Sequence, residues 1–168
     1  MKQYDVNKDG RVDQKDATRV QKYIARLILQ FDECDVNGDG EVNIEDYKVW
    51  RAQFDFADID RNGKLDDADV TRIQEAIAGL ETKENHMDVN QDGSIGMLDV
   101  CKLQQLLNSA SDFSKKLDII NDDIITESDG IILKCIINTL RREIDNMDVN
   151  NDGRVNMRDV VDIQQNFD

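Results

Sequence analysis

Apolar residues fall in the same places six times along this chain. Each repeat is counted from the aspartate at 5, 35, 58, 88, 118 or 148, and its position 2 is always aliphatic: Val6, Val36, Ile59, Val89, Ile119 and Val149. Position 8 is aliphatic too: Val12, Val42, Leu65, Ile95, Ile125 and Val155. Positions 16 and 20 are apolar in every copy, as Val20/Ile24, Trp50/Phe54, Ile73/Ile77, Leu103/Leu107, Leu133/Ile137 and Ile163/Phe167. A spacing of four puts each of these pairs on one face of a helix, with residues such as Arg19, Gln21 and Lys22 facing out. The steps between repeats are 30, 23, 30, 30 and 30 residues, the mark of one supersecondary unit repeated. Beyond a twelve-residue loop, a step of 30 leaves room for one helix of about three turns and a short connector. The pattern predicts an all-α chain of loop-plus-helix units, with the entering helix missing or reduced to a turn. Position 8 of one loop is expected to pair with position 8 of another in a short two-stranded contact. The chain has no proline, in keeping with uninterrupted helices.

The residues between positions 1 and 12 are polar, and their order carries chemistry. Calcium takes six to eight oxygen ligands, and a twelve-residue loop supplies them from positions 1, 3, 5, 7, 9 and 12, position 7 through its carbonyl. In the first loop these are Asp5, Asn7, Asp9, Arg11, Asp13 and Asp16. In the second they are Asp35, Asn37, Asp39, Glu41, Asn43 and Asp46, and in the third Asp58, Asp60, Asn62, Lys64, Asp66 and Asp69. The fourth offers Asp88, Asn90, Asp92, Ser94 and Asp99, with Gly96 at position 9 leaving a vertex for water. The last offers Asp148, Asn150, Asp152, Arg154, Asn156 and Asp159. Glycine at position 6 admits the positive φ of a sharp turn. Asx turns on an acidic surface would account for the Asp and Asn residues, but not for that glycine or the fixed position 12. Five Ca2+ sites are therefore expected. The repeat at Asp118–Asp129 departs from the pattern, with Ile120 at position 3 and Asp123 in place of the glycine. It is expected to keep the loop's shape but to bind calcium weakly or not at all.

The formal charge is −15 over 168 residues. Five calcium ions add ten positive charges, so most of the acidity is ligand charge. Nucleic acid is not expected as a partner, since its phosphates would be repelled. No apolar run reaches membrane-spanning length, and no signal peptide is visible. Met1-Lys2-Gln3-Tyr4 leads straight into the first loop, which points to a fragment of a longer protein. Cys34, Cys101 and Cys135 have no metal-site spacing and read as small buried or half-buried thiols. His86 reads as a lone surface histidine, and Trp50 and Phe54 as core. No Ser/His/Asp set is present and the carboxylates are committed to calcium, so no enzyme is expected.

Position 10 alternates along the chain. It is polar in repeats one, three and five (Gln14, Asp67, Glu127) and apolar in two, four and six (Ile44, Met97, Met157). This predicts three consecutive paired modules: 1–55, 56–110 and 111–168, the last with its first loop degenerate. The second boundary lies in Asn108-Ser109-Ala110-Ser111-Asp112, a plausible linker. A pair of about 55 residues has a marginal core, so metal binding and folding should be coupled.

Aspartate at position 12 in all six repeats, the short period, and runs such as Asp35-Val36-Asn37-Gly38-Asp39-Gly40-Glu41-Val42-Asn43 resemble type I dockerin modules. So does the helix Val20-Gln21-Lys22-Tyr23-Ile24. An EF-hand sensor carries a bidentate glutamate at position 12. The resemblance covers nearly the whole chain, as F-hand repeats. It implies calcium-dependent docking to cohesin-type partners in a secreted, cellulosome-like assembly, with the chain a monomer. It also implies partner contacts at Gln14, Lys15, Lys22 and Arg26 in the first repeat, and at Ile44, Glu45, Met97, Leu98, Met157 and Arg158 in the even repeats. Serine or threonine pairs, frequent in the family at positions 10 and 11, are absent here. Two other readings stand beside this one. One is a calcium-stiffened spacer, in which these positions would become contacts between modules. The other is an EF-hand-type buffer or sensor.

Overall fold

A computed structural model of the chain describes residues 3–26, 29, 31–108 and 111–168. Each intact loop exits into a helix: α1 (Gln14–Ile24), α2 (Ile44–Ala57), α3 (Asp67–Ile77), α4 (Met97–Leu107) and α7 (Met157–Gln165). The fifth loop exits into α6 (Glu127–Met147), and a short helix α5 (Asp112–Leu117) leads into it. Two-residue strands β1 (Lys64–Leu65) and β2 (Ile125–Thr126) lie within the third and fifth loops. The all-α, loop-plus-helix expectation holds.

The reduced entry also holds for loops two and four, which are preceded by 3-10 turns at Asp32–Cys34 and Asn85–Met87. Loop three is entered directly from α2. Loop six is different. The 21-residue α6 both leaves the fifth loop and enters the sixth, where a helix and a connector were expected. Nothing between the two loops breaks the helical period, and Leu133, Ile137, Leu140 and Met147 are buried at spacings of three, four and seven.

The chain divides into two units, 1–31 with 136–168, and 32–135. This differs from the modules 1–55, 56–110 and 111–168. The cut at Asp55/Phe56 passes through α2, and Ala110 lies outside the described residues. Beside it, Ser111 Oγ and Ser114 Oγ donate to the Leu106 carbonyl at 2.6 and 2.7 Å, tying α5 back to α4. The physical reason for the difference is that positions 2, 8 and 16 are apolar in every repeat, so neighbours in sequence hold no packing advantage over distant repeats.

In the first unit α1 packs on α7. Val6, Val12, Ala17 and Val20 from the first repeat share a core with Met147, Val149, Val160 and Ile163 from the end of the chain. In the second unit α3 packs on α4, and α2 and α4 on α5. β1 pairs antiparallel with β2, Leu65 opposite Ile125, so position 8 meets position 8 across repeats three and five. Trp50 is fully buried, its Nε1–H donating to the Leu117 carbonyl at 2.9 Å. Its ring lies over Gly130, where an added Cβ would come within 2.3 Å of the indole.

Position 2 is buried in all six repeats, and so is position 16. Position 20 is not. Phe54 and Ile137 are buried, but Ile24 and Phe167 are exposed and Ile77 and Leu107 only half-buried. Ile24 is the last residue of α1, and α7 ends at Gln165, before Phe167. Position 13 completes the core instead, through Ala17, Val70, Val100 and Val160.

Candidate metal centres and docking surface

The six loops share one backbone frame, built on two carboxylates. The position 1 aspartate accepts from the amides of positions 5 and 6. In the first loop these are Asp9 N–H and Gly10 N–H donating to Asp5 at 3.1 and 2.9 Å. The position 12 aspartate accepts from positions 3 and 9, here Asn7 N–H and Asp13 N–H donating to Asp16, both at 2.9 Å. The same four bonds recur around Asp35/Asp46, Asp58/Asp69, Asp88/Asp99, Asp118/Asp129 and Asp148/Asp159. All six position 12 carboxylates are 0% exposed.

These bonds also start the helices. Asp13, Asn43, Asp66 and Asn156 are N-caps that accept from the residue two ahead, and the position 12 aspartate returns the bond to the cap amide. Gly96 has no side chain to give the forward bond, so α4 keeps only the return bond from its own amide to Asp99.

Burying carboxylates in this way is costly unless something compensates. Burial pushes the Asp69 carboxyl up to about 6 against the pull of its backbone donors. It raises Asp58 and Asp129 as well. In the third loop, carboxylate oxygens of Asp58, Asp60 and Asp69 come within 4.8 Å of one another. Such an all-oxygen set of mutually repelling carboxylates, Asp58 and Asp69 buried and Asp60 half-buried, fits a hard divalent cation. The fifth loop carries the same frame with different contents. Ile120 gives no oxygen at position 3, and Asp123 takes φ +63° where the glycines take +82° to +90°.

All ten residues expected to meet a partner are exposed: Gln14, Lys15, Lys22, Arg26, Ile44, Glu45, Met97, Leu98, Met157 and Arg158. Met97 and Leu98 are 59% and 67% exposed. On α1, a depression of about 370 Å³ is lined by Asn7, Gln14, Lys15, Thr18, Arg19 and Lys22.

Two readings of single residues change. His86 is half-buried rather than a lone surface side chain, with its Nε2 3.2 Å from the Ile59 carbonyl and its Nδ1 3.5 Å from Glu84. It ties the turn before the fourth loop to the third. Cys34 is buried, where loss of solvent pushes its thiol up to about 11, but Cys101 and Cys135 are exposed rather than buried or half-buried.

A family model described as the type I dockerin domain matches residues 3–50 and again 56–108. No curated protein matches the chain, and no solved structure does.

Proposed function

We infer function from one premise: the chain belongs to the type I dockerin family. Dockerin domains bind calcium and dock to cohesin modules in cellulosome-like assemblies, and they are non-catalytic. For this chain we propose that the loops at Asp5–Asp16, Asp35–Asp46, Asp58–Asp69, Asp88–Asp99 and Asp148–Asp159 each hold one calcium ion. Bound calcium supplies the positive charge that lets these clustered carboxylates remain ionised. The chain's own residues do the rest. Positions 1 and 12 fix the loop, positions 3 and 5 add oxygens, and the cap at position 9 starts a helix whose outer face is held in place.

That face docks a cohesin-type partner outside the cell, through Gln14, Lys15, Lys22 and Arg26 and the apolar-plus-charged pairs of the even repeats. One observation carries this reading: every one of those ten positions is exposed, nine of them on helices that begin inside the ligand loops and Arg26 just past the end of α1. A spacer would have turned them into internal contacts. The test is capture of cohesin modules, from a panel and from a native secretome, with the full chain as bait in calcium and in EGTA. Retention in calcium alone supports docking. No retention in either condition, with the loops calcium-loaded, refutes it and favours the spacer.

A further inference from the structure

The first unit is made from the two ends of the chain. Its bonds cross 124 to 156 residues of sequence. Gln3 Nε2–H donates to the Val149 carbonyl at 2.9 Å. Val12 N–H donates to Asp168 Oδ2 at 2.8 Å, and Asp168 N–H returns a bond to the Val12 carbonyl at 2.9 Å. Arg19 Nη2 pairs with Glu143 Oε2 at 2.7 Å. With the shared core of Val6, Val12, Ala17 and Val20 against Met147, Val149, Val160 and Ile163, loops one and six close one paired module.

Charge separates this unit from the rest. Residues 1–31 with 136–168 hold 11 Lys/Arg and 11 Asp/Glu, a formal charge of zero. Residues 32–135 hold 10 and 25, which is the whole −15. Two calcium ions in loops one and six would leave the first unit cationic. The depression on α1 is lined by Lys15, Arg19 and Lys22; Arg19 is paired with Glu143 and Lys15 lies 3.7 Å from Asp9.

We propose that one docking module of this chain is discontinuous: repeats one and six form it together, residues 32–135 are inserted between its halves, and its α1 face takes a partner surface bearing carboxylates. The partner half rests on the dockerin reading above; the pairing of repeats one and six does not. Opposite charges held at such a face steer association and fall in effect with salt.

The experiment uses the full chain in calcium. Hydrogen exchange reports the pairing, and capture on a panel of cohesin modules reports the docking. Asp159→Ala in repeat six should speed exchange of the α1 amides at least tenfold and leave α3 unchanged. Gly130→Ala should speed exchange in α2 and leave α1 and α7 as in the wild type. Lys15→Glu with Lys22→Glu should weaken capture at least tenfold without altering exchange. If Asp159→Ala leaves α1 unchanged, repeats one and six are not one module and the proposal falls. If the double charge reversal leaves capture intact, the α1 face is not the docking face. A wild-type chain that captures no cohesin while α1 and α7 still open together overturns the proposed docking function and with it the partner half, but supports the discontinuous module.

Discussion

The third and fifth loops share one two-stranded ladder and the same backbone frame, yet they are not filled alike. Asp58 and Asp118 accept from equivalent amides, and Asp69 and Asp129 are equally sealed from water. Inside the frame, the third loop has Asp60, Asn62 and Gly63 where the fifth has Ile120, Asp122 and Asp123. The difference separates two jobs that sequence motifs merge. The shape belongs to positions 1 and 12, whose carboxylates bind amides. Ion binding draws on position 3 as well, where the fifth loop has Ile120 and no side-chain oxygen. Even the glycine is optional for shape, because Asp123 adopts the left-handed conformation at a cost of about 1 kcal/mol.

Chelation should break the comparison most strongly. A ligand at a thousandfold excess over its Kd stabilises by about 4 kcal/mol per site. EGTA should therefore strip protection from the amides of Asp60, Asn62 and Gly63 far more than from those of Ile120, Asp122 and Asp123, as read by hydrogen exchange. The fifth loop should instead depend on packing. Gly130→Ala forces a methyl into the Trp50 ring and should cost about 3 kcal/mol in the presence of calcium, read from the denaturant midpoint. An unchanged midpoint would mean that repeats two and five do not rely on that contact.

Substitutions at position 12 sharpen the contrast. Asp69→Asn should remove one calcium from the count by calorimetry, while Asp129→Asn should remove none. Each weakens two buried amide bonds at a cost of about 1 to 3 kcal/mol. Conversely, Ile120→Asn with Asp123→Gly should let the fifth loop gain an ion.

The smallest effect is on pH. The folded Asp69 carboxyl titrates at about 6, above its ordinary 3.8, because of burial. A raised carboxyl favours the protonated fold, so in EGTA this group's stabilisation is present below pH 4 and is lost as pH rises through 6. In calcium, protons compete for the same oxygens, so affinity at the third loop should fall as pH drops below 6. Calorimetry at pH 5 and pH 7 measures that difference.

The loops, their helices and the buried positions 2 and 16 were legible in the sequence, because each is a local pattern with a local cause. The pairing of repeats was not, since every repeat offers the same apolar stripe. A signal was present at position 13, where repeat five has Gly130, and at position 16, where repeat two has Trp50. The largest side chain and the smallest residue were complementary, but nothing local announces that they meet. The exposure of Ile24 and Phe167 was illegible for a related reason. Periodicity places a residue on a face but does not say where the helix stops.

The most direct test is a count of bound calcium on the intact chain by native mass spectrometry, at free calcium well above saturation. The account predicts five ions, falling to four in Asp69→Asn and staying at five in Asp129→Asn. Six ions on the wild type, or a loss in Asp129→Asn, would contradict the separation of loop shape from ion binding.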